Sequence, residues 1–210
     1  MKLSRILLIP CSVILTAILL LAGCSTGKRF VKTEGVSSDT ATDLGLSIKL
    51  RYIDEAEIKE KYGKKNNPFL SPPSALSPNP FIIFELTMDT DQNFKGPFTV
   101  HLKDVEIQFG GINTQPTNQF LLTKFWEHEL SQEMLDKRYV GWSMGKMRII
   151  IKRTIFPNKF EIRRGETHKG LLFFKGAFPR YGEAAVYVPV IKDGAMAKNF
   201  KFTFEFGFTE

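Results

Sequence analysis

The chain has 210 residues, 43% of them hydrophobic and 24% charged, with a formal net charge of +7. That length supports one domain with a sizeable core rather than a small cross-linked scaffold. Its two cysteines, Cys11 and Cys24, both lie near the N-terminus, so no disulfide can hold the body of the chain. All nineteen Phe follow Cys24, which predicts an aromatic core instead.

Residues 1–24 have the three-part layout of a secretory signal. Lys2 and Arg5 give a basic start, Ile6 to Ala22 is apolar apart from mild breaks such as Pro10, Ser12 and Thr16, and small residues close the run. The run is shorter than the about 20 apolar residues of a spanning helix, and it ends in Leu21-Ala22-Gly23-Cys24. These four residues resemble the lipobox of bacterial lipoproteins. The resemblance covers residues 1–25 alone and implies cleavage between Gly23 and Cys24, followed by acylation of Cys24 with palmitate-like chains. Each buried methylene of such a chain adds about 0.8 kcal/mol of membrane affinity, and several chains together hold a protein stably. Ser25 resembles the sorting position of lipoproteins in diderm bacteria, where Ser implies the outer membrane and Asp the inner. An exported, anchored protein seldom meets nucleic acid, so the net positive charge is not read that way.

The implied plan is a signal peptide over 1–23, a flexible tether over 24–43 and a folded domain over 44–210. Ser, Thr, Gly, Asp and Lys dominate the tether, and its apolar residues have no period. As a coil it would reach on the order of 25 Å.

Leu46, Ile48, Leu50 and Tyr52 alternate with mostly polar neighbours, the pattern of a half-buried strand. Asp54 and Glu57 form a capping box flanked by Ile53 and Ile58, which predicts a short helix ended by Gly63. Asn66 to Pro80 contains five prolines and reads as a loop. Ile82, Phe84, Leu86 and Met88 predict a strand with Glu85 and Thr87 outward. Phe98 to Phe109 reads as one long or bent strand whose phase changes near Asp104, as at a bulge or bend, and Gly110-Gly111 turns the chain.

Leu122, Trp126, Leu130 and Met134 recur at helical spacing, which predicts a helix from about Lys124 to Leu135. Met147, Ile149 and Ile151 return to strand alternation. Pro157-Asn158 is a turn, Phe160 and Ile162 a short strand, and Arg163 to Glu166 a corner. Leu171 to Phe174 is a continuous apolar run, expected to be a central strand. Ala184 to Ile191 is a strand joined through Asp193-Gly194, a strong hairpin signal, to a last strand. There Phe200, Phe202, Phe204, Phe206 and Phe208 share one parity. This comb is read as a core face, with an exposed aromatic platform as the alternative.

Seven or more short strands with one or two short helices predict a mainly β fold, an antiparallel β-sandwich. The segment Gly165-Glu166-Thr167-His168-Lys169-Gly170-Leu171-Leu172-Phe173-Phe174 resembles the corner and strand of immunoglobulin-like domains in small bacterial lipoproteins. That resemblance covers some ten residues and implies an immunoglobulin-like binding or accessory module with no shared catalytic residues.

The search for chemistry yields little. His101, His128 and His168 are far apart in sequence, and His128-Glu129 fails to become a His-Glu-x-x-His zinc motif because Gln132 stands at the second ligand position. Gly141-Trp142-Ser143-Met144-Gly145 fits the letters of a nucleophile elbow, which requires a strand, a sharp turn and a helix; the strand read after it argues against that role. Charge is uneven: Glu85–Asp136 holds nine acids and three Lys, whereas Lys146–Arg180 holds ten basic residues and two acids. The basic block is read as solvated strand residues, with anionic headgroups or an acidic partner as alternatives. The expectation is a non-catalytic, lipid-anchored envelope protein without cofactor or metal, held to the membrane by acylated Cys24 and binding a protein or envelope component. The competing expectation is an envelope hydrolase or metal-dependent enzyme using Ser143 or His101, His128 and His168.

Overall fold

The structure is a computed structural model that describes residues 29–31, 38–72, 81–131 and 140–208. The expectations for the signal, Gly23, Cys24 and Ser25, for the loop beyond Pro72, and for the end of the second helix lie outside these residues. In chain order the first strands are β1 (Arg29–Val31), β2 (Ser38–Asp43) and β3 (Leu46–Tyr52), followed by helix α1 (Glu55–Tyr62) and β4 (Phe81–Thr90). Next come β5 (Phe98–His101), β6 (Glu106–Phe109) and β7 (Ile112–Thr114), then helices α2 (Gln119–Ser131) and α3 (Met144–Thr154). The chain closes with β8 (Lys159–Ile162), β9 (Thr167–Lys175), β10 (Gly182–Lys192) and β11 (Ala195–Phe208).

These strands form two antiparallel sheets, so the mainly β sandwich is present, and the described residues hold three helices where one or two were expected. The smaller sheet runs β2-β3-β4-β9, and the larger runs β1-β11-β10-β5-β8 with β6 and β7 attached beside β10. The inner faces share one core. Leu46, Ile48 and Leu50 of β3 and Phe84, Leu86 and Met88 of β4 are buried with Val186, Val188 and Val190 of β10. Phe200, Phe202, Phe204 and Phe206 are each at most 2% exposed, so the comb is core. Asp193 and Gly194 both have positive φ, 52° and 82°, as the tight β10–β11 hairpin requires.

A second core lies on the outer face of the smaller sheet. Ile58 of α1, Leu122 and Trp126 of α2, and Met147 and Ile151 of α3 are buried against Phe81, Ile83, Leu171 and Phe173. The molecule therefore has three layers: helices, the small sheet and the large sheet. Gly170 makes the seating of α3 possible, because a Cβ there would lie 2.9 Å from the Phe156 ring and 3.0 Å from the Thr154 carbonyl.

Several expectations are corrected. Two parts of the stretch expected as a tether over 24–43 are strand: Arg29–Val31 pairs with β11 and Ser38–Asp43 pairs with β3. Polar composition hid Ser38–Asp43, and Arg29–Val31 is too short to show a period; an edge strand is held by backbone hydrogen bonds whatever its side chains are. Among the described residues the sandwich accordingly reaches back past residue 44 to Arg29. Residues 147–151 are helix rather than strand, because Ser143 caps the first turn and Met147, Ile151 and Ile155 all bury one face. Helix α2 starts earlier than Lys124, where the Asn118 side chain accepts from the Leu121 amide at 2.8 Å, a common helix cap. The phase change near Asp104, expected as a bulge or bend, is a bend made by a 3-10 turn over Leu102–Asp104, and β5 and β6 still lie along the same side of β10.

Strand β9 is at the edge of its sheet, not central. Its free edge is nonetheless covered: Ile155 forms a bridge with Leu171, and the Thr117 amide donates to the Phe173 carbonyl at 2.7 Å. Such cover removes the hazard of an open apolar edge, and both faces of Leu171–Phe174 are apolar because Leu172 and Phe174 enter the core between the sheets while Leu171 and Phe173 enter the core under the helices. Glu85 faces outward on this sheet as expected, and its neighbours there leave it 8% exposed.

Candidate functional site

The described fold begins at a buried arginine. Arg29 is 5% exposed, and its guanidinium donates to the carbonyls of Phe81 at 3.3 Å and Pro179 at 3.1 Å. It also lies 5.9 Å from the Phe109 ring centre and 6.0 Å from that of Phe178. Its Nε has no hydrogen-bond partner. Burial lowers the Arg29 pKa, as expected for a cation withdrawn from water. The Tyr52 hydroxyl donates to the Arg29 carbonyl at 3.3 Å, and burial pushes the Tyr52 pKa up to about 12. These contacts pin β1 where the chain enters the sandwich, beside Phe81, whose ring meets Phe125 of α2 at 6.1 Å.

From there the α2–α3 layer presents its outer face. The inner sides of the two helices are fixed by Trp126, whose indole donates to the Pro68 carbonyl at 2.9 Å and stacks on Trp142 at 5.5 Å. Gln119 joins the helices by donating to the Ile155 carbonyl at 2.6 Å. Outward lie Phe120 at 63%, Leu121 at 53% and Ile149 at 54% exposure, among Lys124, Lys146, Arg148, Lys152 and Arg153, all exposed. Glu127 pairs with Lys124 at 2.8 Å and with Arg148 at 2.5 Å. Helix α3 itself, MGKMRIIIKRT, carries no acid. Lys175 adds a further cation, 3.7 Å above the Phe125 ring. No helix among the described residues is long and apolar enough to cross a membrane.

Beyond the rim of the helices, on the same outer sheet face, Glu85 meets three cations. Lys169 is 3.1 Å away, Arg51 3.3 Å and Lys61 3.6 Å. Burial pushes the Glu85 carboxyl up, but Lys169 and Arg51 outweigh it and hold the pKa below its ordinary 4.5. Arg51 also binds Glu57 of α1 through two contacts of 2.7 Å, which raises its own pKa. This network ties α1 to the sheet.

The other residues singled out from sequence are not brought together. His101 lies 4.0 Å from Asp104 and lines a groove of about 320 Å³ beside Leu121. His128 is exposed on α2. His168 contacts Glu166 at 3.2 Å and its ring packs 5.5 Å from that of Phe160. Among the described residues no group of three or more His, Cys, Asp or Glu is placed to hold a metal ion. Helix α3 supplies one part of the nucleophile elbow that the sequence reading denied. Ser143 nonetheless has extended backbone, φ −135° and ψ 114°, and its hydroxyl accepts from the Lys146 amide at 3.5 Å as the helix N-cap. Its own amide donates to the Asn66 side chain, and among the described residues no histidine hydrogen-bonds it.

The Lys146–Arg180 segment is not one patch. Arg163 pairs with Glu161, Arg164 donates to the Phe94 carbonyl, and Lys169 serves Glu85; the cations of α3 form the outward group. Sequence reading missed this face because it placed Met147–Ile151 in a strand, where Lys and Arg would alternate with buried positions. The readable signal was Ser143 followed by Met144, Met147 and Ile151 at helical spacing.

No family model, curated protein or solved structure matches the chain.

Proposed function

We propose that the protein is a lipid-anchored envelope protein that acts by binding rather than catalysis, attached through acylated Cys24 and sorted by Ser25 to the outer membrane of a diderm host. The observation that carries this reading is the Leu21-Ala22-Gly23-Cys24 box, which stands just ahead of a strand locked into the sandwich. Five residue steps separate Cys24 from Arg29, and a fully extended chain covers at most about 3.6 Å per step, or about 18 Å in all. An anchor at Cys24 thus holds the domain close to the bilayer, nearer than a tether running to residue 43 would.

The binding role is supported by what the chemistry-bearing side chains do. Ser143 caps a helix, Glu85 ties β4 to its cationic neighbours, and His168 packs on Phe160. The exposed helix face remains as the region with unusual surface character. Metabolic labelling with a fatty-acid analogue tests the anchor: the parent takes up label and Cys24→Ser does not. Label retained on Cys24→Ser overturns it. Membrane fractionation tests the address, with recovery solely among inner-membrane markers as the contrary result.

A further inference from the structure

We infer that the outer face of α2 and α3 is a second membrane contact, which lays the domain on a bilayer surface rich in anionic headgroups. The inference takes from the proposed anchor only that a bilayer is within reach; the face itself is read from the structure.

Two independent observations meet here. The first is composition. Phe120, Leu121 and Ile149 are more than half exposed, on a surface that also carries Lys124, Lys146, Arg148, Lys152 and Arg153. Large apolar groups set among cations are what an interfacial helix needs: the rings and branched chains enter the headgroup boundary while the long basic side chains meet phosphate. Cations outnumber acids: α3 has no acid, and α2 adds Glu127, paired with Lys124 and Arg148, and the half-buried Glu129. The second observation is position. Arg29, where the chain from Cys24 enters the fold, bonds the Phe81 carbonyl, and Phe81 packs against Phe125 of α2. Arg29 belongs to β1, paired with Phe208 of β11 in the large sheet, and through Phe81 it borders the helix layer. The opposite surface, the outer side of β11 with Lys201 and Thr203, is separated from it by both sheets.

One cation near an anionic bilayer contributes about 1 kcal/mol, or about fivefold in affinity. Losing Lys152 and Arg153 together therefore costs about thirtyfold.

The test uses residues 25–210, which keep both cores and every described strand pairing and contain no cysteine. This unacylated chain should float with vesicles of phosphatidylcholine containing phosphatidylglycerol, detach in high salt, and ignore pure phosphatidylcholine. Lys152→Gln with Arg153→Gln should weaken binding by the amount above, while leaving the circular dichroism spectrum unchanged. An environment-sensitive dye on Ile149→Cys should shift to the blue on the anionic vesicles, and the same dye on Thr203→Cys should not. Failure to float on the anionic vesicles overturns the inference and leaves the face to an acidic protein. So does binding unchanged in the double variant, or an equal shift at both dye sites. A negative result here with Cys24 labelled in cells would refute the docking face and leave the anchor standing.

Discussion

On the inner face of the small sheet, Leu46, Ile48, Leu50, Ile82, Phe84, Leu86 and Met88 are buried without interruption against the Phe rings of β11. On its outer face only the part beneath the helices is apolar. Phe81, Ile83, Leu171 and Phe173 are covered by α2 and α3, and the next outward residue of β4 is Glu85, amid Arg51, Lys61 and Lys169. One side of the sheet meets another sheet along its whole length; the other meets three short helices that run out partway. A face is as apolar as its cover is wide, and where cover stops the same strands hold charges in pairs. The matched runs Phe81–Phe84 and Leu171–Phe174 mark the doubly covered zone, since Ile82 faces Phe174 and Ile83 faces Phe173 across the sheet.

The comparison can be broken at each level. The largest effect belongs to the inner core. Phe204→Ala removes a ring that packs 4.8 Å from Phe84 and should cost about 3–5 kcal/mol, read as a lowered urea midpoint. An unchanged midpoint would mean that the Phe comb does not hold the sheets together. In the outer core, Trp126→Phe strands the Pro68 carbonyl and shrinks the plug between α2, α3 and the sheet. It should cost about 2 kcal/mol and alter the near-ultraviolet dichroism from the Trp126–Trp142 stack. Full stability with loss of that signal would show the helix layer to be energetically separate.

At the uncovered rim, Glu85→Gln should cost about 1–2 kcal/mol at neutral pH, by removing a charge from three cations. Its pH dependence has a definite sign. The folded-state pKa lies below the ordinary 4.5, so the stabilisation is complete above about that pH and is lost as pH falls through the lower folded value. The parent should therefore lose more stability than Glu85→Gln on acidification through this window, and parallel curves would deny Glu85 the role. The smallest effect is expected at Thr203→Ala, on the exposed side of β11: under about 0.5 kcal/mol. A larger loss there would reveal contacts on the outer face of the large sheet.

The alternation of Leu46–Tyr52, Ile82–Met88 and Phe200–Phe206 determined, from the sequence alone, strands with one buried face, and with Asp193-Gly194 it determined the closing hairpin. The Asp54–Glu57 box determined α1, because capping is a local hydrogen bond: Asp54 accepts from the Glu57 amide at 2.8 Å. The proposed lipid attachment rests on local order alone, a short apolar run ending in four residues. Tertiary structure decided the rest. Ile149, Ile150 and Ile151 have β-branched preference for strands, yet the burial of Met147, Ile151 and Ile155 against Leu171 and Phe173 makes them helix. Arg29–Val31 and Ser38–Asp43 have no apolar period, yet β11 and β3 offer them backbone partners. The exposed basic face follows from the first of these decisions. A local pattern can state which residues avoid water, but the element that shelters them comes from distant parts of the chain, and only that pairing determines which cations are left facing out.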